Sequence, residues 1–113
     1  LVHDPRALAE VRAGLVRARH RHAHHRELAR VSSERANELK VRLRSMELSE
    51  DADVEALVEL RRELVHAEGD VRHHRARAVQ TEEAMRLMRE DRKRLRAGEP
   101  AEHRQVYLEL LDR

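Results

Sequence analysis

The chain has no cysteine, no phenylalanine and no tryptophan, and its single aromatic side chain is Tyr107. Without cysteine, neither a disulfide nor a thiolate metal site can form. One aromatic in 113 residues excludes a thick core, and also a stacking platform for the bases of a single nucleic-acid strand. Glycine occurs three times and proline twice, so few turns are available. No apolar run approaches the length of a membrane span and no secretory signal is visible, so a cytoplasmic location is expected. A glycine-rich phosphate loop and a nucleophile–base pairing are both missing. The expectation is therefore a chain without catalysis, cofactor or small-molecule substrate.

What the sequence has is charge and a heptad seam. Charged residues make up 41% of the chain, a polarity that suits disorder unless apolar residues are regularly spaced. They are. Leu8, Val11, Leu15, Ala18, His22, His25, Ala29, Ser32, Ala36, Leu39, Leu43 and Met46 step by three and four. Leu57, Leu60, Leu64, Ala67, Val71, His74, Ala78, Thr81, Met85 and Met88 repeat the pattern. Folding the chain back near Ser49 brings the two series into register, Leu39 with Leu60 and His25 with His74. The pattern predicts an all-α fold: a long antiparallel helical hairpin, or coiled coil, assembling into a four-helix bundle. A single domain over 1–113 is expected.

Caps and breakers set the expected boundaries. Asp4-Pro5 starts a helix over 5–47. A turn over 48–51 follows, with Ser49 capping a second helix over 52–97. Gly98 stops that helix, and Pro100 opens a short third helix over 100–112 whose Val106, Tyr107, Leu110 and Leu111 need a surface to cover. Gly14 and Gly69 lie inside the arms, and Gly69 could split the second one. The alternating seam favours continuity.

The seam residues Leu8, Val11, Leu15, Leu39, Leu43, Leu57, Leu60, Leu64, Val71, Met85 and Met88 are the candidate interface. Off the seam, Val16, Leu28, Val31, Val41, Val54, Val58, Val65, Val79 and Leu87 suggest a second, weaker apolar face for a homodimer or a protein partner.

Histidines His22, His25 and His74 converge at mid-seam. The leading expectation is a polar layer that fixes register. A pH-sensitive joint and a three-histidine metal site are the alternatives. Glu63 and His66 have the Glu-x-x-His spacing of di-iron bundles but flank the seam instead of lining it.

Net charge is only +2, yet it is unevenly spread. Residues 47–70 carry a net −7, while 12–30 and 71–96 carry +5 each. Arg17, Arg19, Arg21, Arg26, Arg30, Arg72, Arg75 and Arg77 form a candidate polyanion-binding set, with nucleic acid a possible partner. Local salt bridges such as Glu27–Arg30 and Glu90–Arg94 would dilute it. The functional expectation is a non-enzymatic interaction or scaffold module. Polyanion binding and histidine metal binding are the alternatives.

Overall fold

The computed structural model describes residues 4–112. This span holds three helices, α1 (Pro5–Glu47), α2 (Val54–Arg96) and α3 (Arg104–Asp112), and no strand. The fold is all-α: two long helices packed antiparallel as a hairpin, followed by a short third helix.

Side-chain chemistry sets each boundary. Asp4 caps α1: its Oδ1 accepts the Ala7 N–H at 3.0 Å and its carbonyl accepts Leu8 N–H at 3.2 Å, with Pro5 at the first helical position. The connection runs over 48–53, longer than expected, because Asp53 and not Ser49 caps α2. Asp53 Oδ1 accepts the Glu55 N–H at 3.0 Å and its carbonyl accepts Leu57 N–H at 3.0 Å. An aspartate next to the first turn satisfies an orphan amide and also opposes the helix dipole. Ser49 Oγ accepts Asp51 N–H at 3.4 Å inside the connection instead.

Gly69 does not break α2. Buried Ala67 and Val71 flank it, and their packing offsets the roughly 1 kcal/mol helix cost of a glycine. Gly98 does end the helix. It takes φ 81°, and Glu99 N–H bonds to the Arg94 carbonyl at 2.9 Å while Gly98 N–H bonds to that of Leu95 at 3.1 Å. These paired bonds are a Schellman motif, which needs a left-handed residue.

The chain divides into two packed units: 1–25 with 76–113, and 26–75. In the first, here the terminal unit, Val11, Leu15 and Ala18 of α1 pack with Ala84, Met85, Leu87, Met88 and Leu95 of α2 and Tyr107 of α3. Leu87 thus belongs to the core and not to a weaker outer face. Two neighbours in the terminal unit hold α3 by its ends. At its start, the buried Asp91 carboxylate accepts the N–H groups of Glu102 at 2.9 Å and His103 at 3.0 Å. At its end, Arg21 Nη1 donates to the Leu111 carbonyl at 2.6 Å. An anion at the first end and a cation at the last complement the helix dipole. The amides before Arg104 are committed to Asp91, so α3 begins there and not at Pro100.

The second unit, here the turn unit, is two helices thick. Ala36, Leu39, Leu60 and Ala67 form its core, with Leu43, Met46 and Leu64 partly buried against them. Leu39 and Leu60 lie in one cluster, as the seam register requires. No described helix is long and apolar enough to cross a membrane.

Candidate functional site

His22 is the best-defined polar node of the seam. It sits on α1 of the terminal unit, largely buried. Its Nδ1 lies 3.0 Å from the Ala78 carbonyl and 3.2 Å from Thr81 Oγ1. A carbonyl only accepts, so Nδ1 carries the proton. Thr81, fully buried, donates its hydroxyl proton back to its own helix, at the Arg77 or Ala78 carbonyl. Its oxygen is then free to accept from His22. The other ring nitrogen, Nε2, lies 3.2 Å from Glu82 Oε2, an ion pair when the ring carries both protons. This arrangement ties α1 to α2 at one level.

The other two candidate ligands, His25 and His74, have ring neighbours of their own. His25 is half-buried, with its ring 5.8 Å from that of His24. His74 is half-buried in the turn unit, edge-on to His73 at 5.0 Å. Among the described residues, no group of three or more histidine, aspartate or glutamate side chains is placed to hold a metal ion. The ring nitrogens of His22 are already committed to protein oxygens, which accounts for its part in this. Glu63 and His66 also pair separately, Glu63 with Arg35 at 3.2 Å and His66 with Asp70 at 3.6 Å.

The arginines of the expected polyanion set differ in their partners. Arg77 is buried and donates to Gln80 Oε1 at 2.8 Å. Arg21 is spent on α3. Arg30 is held between Glu27 and Glu34, and its hydrogen bond to Glu27 raises its pKa further and lowers that of the carboxylate. Arg86 repeats the motif with Glu83 and Glu90. Glu90 therefore pairs with Arg86, and with His103 at 2.9 Å, and not with Arg94. Arg94 reaches Glu99 and Glu102 instead. Arg17, Arg19, Arg26, Arg72 and Arg75 are exposed.

A different group of arginines converges. Arg92, half-buried on α2, has its pKa lowered by desolvation first, and then by the positive charges of Arg96, Arg19, Arg12 and Arg89. Arg12, Arg92 and Arg96 lay outside the arginines that the sequence singled out, since that reading, which also took in Arg86 and Arg89, followed charge density along the chain and not heptad position. The candidate interface residues Val11, Leu15, Leu39, Leu60, Val71, Met85 and Met88 are buried inside the hairpin. Leu8, Leu43, Leu57 and Leu64 are half-buried along it. Outside the seam, Val54, Val58 and Val65 are 71%, 47% and 68% exposed and step by four and seven along one face of α2. No family model matches the chain, and neither a curated protein nor a solved structure matches it.

Proposed function

We propose that this chain is a non-enzymatic interaction module that self-associates through the turn unit. The observation that supports this reading is the valine stripe Val54–Val58–Val65 on a unit only two helices thick. A single exposed valine is ordinary. Three on one face, over a buried cluster of four residues, leave a hairpin that gains from further cover. A second copy is the occupant that fits. Running antiparallel about the midpoint of the stripe, Val54 comes opposite Val65 of the partner subunit. Such a contact is isologous and closes as a dimeric four-helix bundle.

Sedimentation equilibrium tests the proposal. A dimer that survives high salt is expected, because an apolar contact is little screened. Val58→Glu with Val65→Glu should give a monomer of unchanged helicity. A monomer of the unaltered chain at every salt concentration, or a dimer indifferent to both substitutions, would sink the idea.

A further inference from the structure

The arginines of the terminal unit fall into a pattern set by the heptad. With the seam residues at heptad positions a and d, Arg12, Arg19, Arg89 and Arg96 all take position e, and Arg92 takes position a. In an antiparallel pair, e positions of both helices flank the same side of the seam. Helix α3 occupies the other side, since Ala84 and Asp91 take position g and Leu87 position c. The five guanidinium groups therefore share one flank of the unit, open along its length.

Their lack of partners is the second observation. Among the described residues, no carboxylate lies within ion-pair distance of any of the five. The acids of this unit as far as Asp91 are engaged elsewhere. Asp4 caps α1, Glu10 reaches Arg104, and Glu82 faces His22. Glu83 and Glu90 hold Arg86, and Asp91 holds the start of α3. A chain with nearly balanced charge thus leaves like charges together on one flank, one of them half-buried. Such an arrangement costs folding energy unless an anion completes it.

We propose that this flank binds the phosphate backbone of a nucleic-acid duplex, without sequence preference. Arg12 and Arg19 lie roughly 10 Å apart along α1, as do Arg89 and Arg96 along α2. The two helix axes are themselves about 8–10 Å apart. Two parallel rows of guanidinium forks at this separation suit a duplex, whose backbones border a minor groove about 6 Å wide and carry one charge per roughly 1.7 Å of axis. Each fork can hold a phosphate by two hydrogen bonds. A single strand is the poorer fit, because the one aromatic, Tyr107, is buried and cannot stack on bases. A bilayer is also the poorer fit. Interfacial helices carry a broad apolar face, whereas the neighbouring positions on α1 are only Ala9, Val16 and Ala23.

The test is fluorescence anisotropy of a labelled duplex of about 20 base pairs, titrated with the full chain at about 50 and 200 mM salt. Binding that weakens steeply across this range is expected. Arg12→Gln with Arg89→Gln and Arg92→Gln should lower affinity at least about tenfold and flatten the salt slope by roughly one per lost phosphate contact. Arg30→Gln, whose guanidinium is already held by Glu27 and Glu34, should change affinity less than about twofold. The triple variant should melt no lower than the unaltered chain, since like-charge repulsion has been removed. Absence of binding at low salt would overturn the proposal, as would an undiminished triple variant or an equal loss in Arg30→Gln. So would binding to phosphatidylserine vesicles without binding to the duplex.

Discussion

Two glycines show how context sets the value of a single atom. An alanine Cβ at Gly69 meets only Arg72 Nη2, at 3.8 Å. At Gly14 it meets Met88 Cε at 3.2 Å and Sδ at 3.8 Å, in the buried seam. Both positions are helical, so alanine removes backbone entropy from the unfolded chain in each case. Gly69→Ala should therefore gain about 0.5–1 kcal/mol in a urea melt. At Gly14 the gain is offset by displacing a methionine that fills the core, and the net change should be smaller or reversed. A Gly14→Ala variant more stable than Gly69→Ala would contradict this account. The sequence showed that both glycines sit within heptads but not that they differ, because the difference lies in what crosses from the other helix. The same holds for Asp91. Along the chain it is one more acid in a charged run, yet folding makes it the fully buried carboxylate that holds α3. Its clue was only its position g, on the flank that α3 covers.

Among the elements, the two long helices were legible because their signals are repeated many times. Every turn of α1 and α2 votes for the same period, and Asp4, Pro5 and Gly98 punctuate it. The connection and α3 were read less well, because each depends on a single contact. Ser49 and Asp53 are both competent caps, and only the chain path chooses between them. Pro100 is a competent helix start, but Asp91 takes the amides that follow it. Docking of α3 is open to measurement through Tyr107, the only tyrosine. Burial raises its pKa, and the nearby Asp91 charge raises it further. The folded state holds the phenol proton more tightly than the unfolded chain does. Stability is therefore undiminished below pH 10.0, the ordinary phenol value, and falls as pH rises through the higher folded value. Phenolate absorbance should show a midpoint above that of the urea-unfolded chain, with loss of helical signal accompanying it. Coincident midpoints would mean that α3 does not bury the ring in solution.

At the scale of the whole molecule, the two units differ in what resists opening. The terminal unit has nine residues in its buried cluster and a third helix held at both ends. The turn unit has four, in two layers. Local opening free energy follows buried apolar contact more than helix length, since backbone hydrogen bonds alone hold a solvated helix only marginally. Amides over 30–45 and 57–72 should therefore exchange with deuterium faster than those over 8–20 and 80–95, although each pair lies on the same continuous helices. The measurement also bears on self-association. A second copy on the valine stripe binds the folded turn unit and not the opened one, so mass action should slow exchange over 54–65 as protein concentration rises. The terminal unit, already covered by α3, should be indifferent to concentration. Exchange that is uniform along both helices would mean that they open as one cooperative body. Exchange that is faster over 30–45 and 57–72 but the same at every concentration would keep the difference between the units, while leaving the valine stripe without the partner proposed for it.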